Sequence, residues 1–347
     1  MQDDGGITAA EERQQSQFAS KISEILRCPF CRKRLRQDQA AYACSDCGRS
    51  FPIVNGVAQF VPPSNYAENF GFEWQLHCRT QLDNQGSRES ESAFRDKTGF
   101  TPQELKGRLV LDVGCGMGRF AEVATRWGAH VIGIDLSAAA AVAVCNLRDR
   151  SFTAFQADVF ALPFAPESFD YIYSIGVLHH TPDCAKAVKA LPQYLVPGGS
   201  LAVWLYSGYN KWYRFSDIYR KITTRMSPRA LHRVLRVVVP FFYGLNRGFE
   251  RIPLLGRPLA GLLHHLFPVN RHPNSEWRLL DTFDWYSPKY QSKHTYEEVF
   301  PWFESCGMEE LRVLNVPIAV RGRKSLHPPG LFRETVNAEI ATPGALG

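Results

Sequence analysis

The 347-residue chain contains no run of about eighteen uncharged apolar residues, which excludes a hydrophobic membrane-spanning helix. Its first residues, MQDDGGITAAEERQQSQ, are polar and acidic, unlike a secretory signal, so a cytoplasmic location is expected. Cysteine is scarce in pairs: of nine, only Cys28, Cys31, Cys44 and Cys47 show paired spacing, which argues against a disulfide framework. Cys78, Cys115, Cys145, Cys184 and Cys306 are expected as reduced thiols, most of them packing residues. Acid is scarce in one long stretch. From Tyr206 to Pro273 two acids stand against twelve Lys and Arg, a balance of +10, while the whole chain carries +6, so the remainder is slightly acidic. What is present is ordinary for a globular protein: 45% hydrophobic and 21% charged residues, enough for one large domain and a smaller one.

The chain is organised around Leu109–Phe120, LVLDVGCGMGRF. An apolar run carrying one acid, Asp112, enters three glycines spaced by single residues and then the helix-like RFAEVATRW. Buried parallel strands read as short apolar runs, and glycines just after one let the backbone turn sharply against a nucleotide-like ligand. A dinucleotide fingerprint is GxGxxG. Gly114, Gly116 and Gly118 make GxGxG instead, and with Asp112 ahead of them the stretch resembles motif I of class I S-adenosylmethionine (SAM)-dependent methyltransferases.

Downstream residues keep the order of that family. HVIGIDLS is a second strand ending in Asp135, where an ionised acid accepts two hydrogen bonds from a ribose diol. FQADVFALPF puts Asp158 at a third strand end; SFDYIYSIGVLHH and LVPGGSLAVWLYS supply the fourth and fifth. The resemblance implies a SAM site built from Asp112, Gly114, Gly116, Gly118, Asp135, Leu136 and Ser174. Asp158 would accept the adenine amino group beside Val159. It also implies an α/β fold: a Rossmann-like seven-stranded methyltransferase sheet with helices on both faces.

Ahead of this core, Cys28-x-x-Cys31 and Cys44-x-x-Cys47 are separated by twelve residues. Two such turns can aim four thiolates at one tetrahedral centre, so one structural zinc per chain is expected, with no open position for chemistry. The run resembles the zinc-ribbon domains related to the activator subunit of transfer-RNA methyltransferases. Phe70, Phe72 and Trp74 either cover the SAM site or dock the linker on the core. The expected organisation is a disordered tail at 1–20, a zinc ribbon at 21–62 and a linker and cap at 63–106. The methyltransferase core takes 107–206 and 295–325, a helical insertion 207–294, and a loose tail 326–347.

Within the insertion, Arg225, Arg229, His232 and Arg236 recur at helical spacing opposite Leu231, Val234, Leu235 and Val238, a basic amphipathic helix. It reads either as a packed lid or as a surface for anionic lipid or a lipophilic acceptor. Thr295 with Glu298 reads as a capping box and Gly307 as a helix stop.

Methyl transfer from a sulfonium is an in-line displacement, and a hydroxyl acceptor needs a base. His179 and His180, at the strand-four end, are the expected candidates, with Tyr206, Tyr290 and His294 behind them. The favoured function is methyl transfer to a small-molecule or lipid-linked acceptor, most often on oxygen, with the protein cytoplasmic or peripheral at the membrane. The alternatives are an RNA base methyltransferase, to which a ribbon and a basic surface also fit, and a non-catalytic SAM-binding scaffold. The strand-four end, SIGV, lacks the Asn-Pro-Pro-Tyr signature of exocyclic-amine methylation.

Overall fold

The computed structural model describes residues 9–62, 64–84, 86–209 and 214–326. The tail expected to be loose lies, from residue 327, outside them.

Helix α1 (Ala9–Ile25) corrects the expectation of a disordered N-terminus over residues 9–20. Its sequence is mostly Glu, Gln, Ser and Ala, which hides the stripe Phe18, Ile22 and Ile25 that buries against the core. Such a helix is stabilised by its docking surface more than by its own pattern. Phe18 stacks on His130, ring centroids 5.4 Å apart, and the chain leaving the helix bonds directly to the core through Arg27 N to Pro163 O at 2.8 Å.

The cysteine-bearing segment then forms β1 (Arg36–Gln37), β2 (Ala41–Ala43), β3 (Ser50–Val54) and β4 (Val57–Gln59). These join the main sheet, because β4 pairs in parallel with β7 (Phe152–Gln156). The expected boundary between ribbon and core is therefore crossed by strand hydrogen bonds.

Helices α2 (Glu68–Leu76), α3 (Glu89–Thr98) and α4 (Pro102–Leu105) precede β5 (Leu109–Val113). After it run α5 (Arg119–Arg126), β6 (His130–Asp135), α6 (Ala139–Asn146), β7, β8 (Phe169–Ile175), α7 (Cys184–Lys189) and β9 (Leu195–Trp204). Helices α8 (Arg214–Thr223), α9 (Pro228–Glu250), α10 (Gly256–Leu266) and α11 (Ser275–Tyr286) make up the insertion. The chain returns through α12 (Tyr296–Glu304), β10 (Met308–Val313) and β11 (Ala319–Lys324).

The sheet order is β1-β2-β3-β4-β7-β6-β5-β8-β9-β11-β10. Its last seven strands are the expected methyltransferase sheet, with β11 antiparallel to β9. Side chains alternate across it: Leu109, Leu111, Val113, Ile132 and Ile134 enter one core cluster, and Val110 and Val131 the other. The strand ends after β5, β6, β7 and β8 thus gather along one edge, where parallel α/β sheets bind ligands.

Thr295 caps α12 as expected, Glu298 accepting from its backbone N–H at 3.2 Å. The insertion packs around Leu235, Val239, Leu279, Phe283 and Tyr286, so α9 has a buried face. Val234, assigned to that face from the sequence, is exposed instead.

Candidate active site

The glycine turn after β5 takes a backbone shape that only glycine adopts readily. Gly114, Gly116 and Gly118 all take positive φ (83°, 52° and 91°), a region that disfavours any side chain. A Cβ on Gly114 would lie 2.4 Å from Val177, and one on Gly116 3.1 Å from Trp74 Nε1. The N–H groups of Gly114 and Cys115 both bond Ile134 O, at 2.8 and 2.9 Å, which ties the turn to β6.

At the end of β6, Asp135 accepts from Gly116 N at 2.9 Å through Oδ2 and from Ser137 N and Oγ at 2.8 and 2.7 Å through Oδ1. Burial raises its pKa, and these hydrogen bonds oppose the rise. Its orientation is fixed before any ligand arrives. Asp158 is held likewise, accepting from Phe160 N at 3.0 Å.

A cavity of about 730 Å³ opens over these strand ends. Of the nine residues expected from the sequence, Gly114, Gly116, Asp135, Leu136, Asp158 and Val159 line it. Asp112, Gly118 and Ser174 stand behind the wall. Burial pushes the Asp112 carboxyl up to about 8. Ser174 donates to Val113 O at 2.9 Å, tying β8 to β5, while Gly118 makes room for Leu147.

The far end of the cavity joins Phe70 and Trp74, named from the sequence as a cover for the SAM site, to residues that sequence reasoning did not single out. Helix α2 contributes Phe70, Glu73 and Trp74; α3 contributes Lys97; α11 contributes Leu280, Asp281, Asp284 and Trp285. Glu73 is 2% exposed, and neither carboxylate oxygen has a hydrogen-bond partner among the described residues. Burial, reinforced by Asp284 and Asp281, raises its pKa well above the ordinary range. Asp284 accepts from Tyr206 Oη at 2.9 Å, and burial pushes it up to about 6. Burial also holds Lys97 down to about 7, with its Nζ 3.7 Å from the ring centre of Trp204. Around the whole cavity, five carboxyl side chains (Glu73, Asp135, Asp158, Asp281, Asp284) face two cationic ones (Lys97, Arg119).

The two histidines part company. His180 lines the cavity, its Nδ1 3.0 Å from Tyr290 O, and burial holds its pKa down to about 4. His179 is fully buried outside that lining and stacks on Tyr206 at 3.9 Å. Burial depresses its pKa well below the ordinary value. Of the three reserve candidates Tyr206 alone lines the cavity; His294 is bonded to Glu298 and Ser292. The aromatic cluster divides: Phe70 and Trp74 face the cavity, whereas Phe72 packs on Phe283 of the insertion. An orphaned buried carboxylate has no signature in sequence, because Glu73 sits in NFGFEWQ like any helix-surface glutamate.

The four cysteines meet as their spacing predicts, with all Sγ atoms within 4.8 Å of one another. Cys28 and Cys47 Sγ are 3.6 Å apart, Cys31 and Cys44 Sγ 3.4 Å. A tetrahedron with bonds of about 2.3 Å has edges of about 3.8 Å, so the cluster fits a zinc ion. Both turns close alike: Arg32 N bonds Cys28 O and Gly48 N bonds Cys44 O, each at 2.9 Å, with positive φ at Arg32 and Gly48.

Comparison with known proteins agrees with this geometry. Residues 111–203 match the methyltransferase domain family, and residues 20–56 the Trm112p-like protein family. The ubiquinone biosynthesis O-methyltransferase of Aromatoleum aromaticum is 34% identical over 160 residues, 44% of this chain and 68% of that protein. The probable tRNA methyltransferase 9B of Homo sapiens is 34% identical over 124 residues, 34% of this chain but only 26% of the human protein. A solved S-adenosylmethionine dependent methyltransferase from Mesorhizobium loti aligns at 34% identity and TM-score 0.30, covering 33% of this chain and 52% of that one. The chain belongs to the SAM-dependent methyltransferases of class I.

Proposed function

We propose that the chain transfers the methyl group of SAM to a hydroxyl of a small, lipophilic or lipid-linked acceptor, and that Asp284 takes the acceptor's proton. The observation that carries this reading is the buried acid end of the cavity, where Glu73 has no hydrogen-bond partner among the described residues and Asp284 is held by Tyr206. Polar groups buried without a partner are costly, so such a site is poised for a ligand that donates hydrogen bonds.

SAM, when bound, supplies an electrophilic methyl on a sulfonium. The chain's own residues do the rest. The glycine turn and Asp135 hold the nucleoside, Asp135 accepting from the ribose diol, with Asp158 and Val159 at the base. Asp112, Gly118 and Ser174 support that wall from behind. Phe70, Trp74 and Trp285 exclude water from the acceptor, and Glu73 orients its hydroxyl. As the oxygen forms its bond to the methyl carbon and the carbon–sulfur bond breaks, the hydroxyl proton passes to the Asp284 carboxylate. A carboxyl near 6 is ionised at neutral pH and remains a better base than an ordinary aspartate. His180, held down to about 4, is neutral there and serves as a wall.

The cysteine cluster would hold one structural zinc. The RNA reading draws on the basic insertion and on the likeness to a probable tRNA methyltransferase. Five acids against two cations in the cavity disfavour a phosphate-bearing strand there.

The test is the pH profile of methyl transfer. Wild type should lose activity as pH falls through about 6, and Asp284→Asn should slow turnover about 10² to 10⁴-fold while abolishing that limb. His180→Gln should retain it. An acid limb that disappears with His180→Gln and survives Asp284→Asn would overturn the assignment of the base.

A further inference from the structure

Apolar surface is unevenly distributed on this molecule. Eleven of the seventeen exposed large apolar side chains among the described residues lie between Ile218 and Leu262, within the insertion. On α9 the helical period separates three faces. Leu231, Leu235 and Val239 are buried; Val234, Val237, Phe241 and Leu245 form an exposed apolar stripe; Arg229, Arg233, Arg236 and Arg247 are exposed on the third. Helix α10 repeats the arrangement with Leu255, Leu259 and Leu262 outward and Ala260 inward.

The turn joining them is the most exposed apolar point among the described residues. Leu254 is 98% exposed and sits at φ 63°, a backbone region that leucine rarely adopts, with Ile252 and Leu255 exposed beside it and Arg251 and Arg257 flanking it. A strained turn that holds leucine in water is costly unless something covers it.

We propose that the α9–α10 hairpin is the docking face for an anionic lipid bilayer, with Ile252, Leu254 and Leu255 entering the acyl region and the arginines meeting lipid phosphates. The arrangement is that of an interfacial amphipathic element. No helix among the described residues is long and apolar enough to cross a membrane, so the contact is peripheral. Two other occupants fit less well. A second copy of the chain would bring like-charged arginine faces together, with Glu250 the only acid of the hairpin and already paired to Arg247 at 3.1 Å. Nucleic acid would use the arginines but leave the leucine tip in water. The proposal does not depend on which acceptor is methylated. It does place the insertion that closes the cavity, through Asp281, Asp284 and Trp285 of α11, beside the phase in which a lipophilic acceptor dissolves.

Sedimentation of the full chain with vesicles of phosphatidylcholine alone, and of phosphatidylcholine with phosphatidylglycerol, tests it. Binding to the anionic vesicles is expected, weakened by salt and cut about tenfold or more by Leu254→Asn with Leu255→Asn. Arg251→Gln with Arg257→Gln should also weaken it. SAM affinity, measured by calorimetry on the same samples, should stay at the wild-type value in every variant, since none of these residues lines the cavity. Absence of binding to anionic vesicles overturns the proposal. So does binding that the leucine changes leave intact, which would mark a purely electrostatic surface. Dimerisation abolished by Leu254→Asn would make the face a self-association surface instead. Loss of SAM affinity in the wild type itself would count against the cofactor site and leave the vesicle result to stand alone.

Discussion

Glu73 and Asp135 illustrate two ways a carboxylate can be placed in a buried site. Asp135 is locked by three hydrogen bonds within the protein, and in the proposed site its remaining lone pairs would accept from a ribose diol. Asp135→Ala should cost about 1 to 3 kcal/mol of SAM binding, roughly tenfold to hundredfold in affinity by calorimetry, and wild-type-like affinity would remove it from the cofactor site. Glu73 has no such partners among the described residues, and its pKa is raised in the folded state. A carboxyl with a raised folded pKa contributes stability that is fully present below its ordinary pKa, near 4.5, and is lost as pH rises towards the folded value. Glu73→Gln removes that dependence. The variant should therefore gain melting temperature relative to wild type, by an amount that widens between pH 5 and 8, while methyl transfer falls. A melting difference that does not change with pH would mean that Glu73 is ordinary in its titration.

At the scale of elements, the strand, turn and helix around Asp112 were legible because buried parallel strands and positive-φ glycines leave a local mark in sequence. The CxxC pairs were legible for the same reason, since a four-thiolate centre fixes both spacing and turn geometry. Helix α1 was not. Its three docking residues, Phe18, Ile22 and Ile25, are diluted by Glu and Gln, and only the surface they meet makes them a stripe. The acceptor end was equally hidden, because Glu73 and Asp284 lie more than two hundred residues apart and meet only when α11 folds over α2. The ribbon's attachment also changes what its loss should do. Because β4 pairs with β7, which leads into Asp158, Cys44→Ser should release metal and also loosen the β7 edge. Metal analysis should fall from one zinc per chain to none, and hydrogen exchange should rise in β3, β4 and β7. Faster exchange confined to residues before β4 would show the ribbon to be an independent unit.

Across the whole molecule, charge is sorted by region. The stretch Tyr206–Pro273 carries +10 in a chain of +6, so the rest is at about −4, and the cavity wall keeps that sign with five acids against two cations. A basic, leucine-tipped outer face and an acidic, aromatic interior are in keeping with the proposed function, in which a neutral lipophilic acceptor meets a cationic methyl donor. The most direct measurement is the fate of the methyl group. The purified chain would be incubated with methyl-labelled SAM and extracts from cells lacking the gene, and the label followed into organic-soluble, RNA and protein fractions. Label in the organic-soluble fraction, in a product one methylene heavier whose formation is lost with Asp284→Asn, is the predicted result; label in RNA would contradict it.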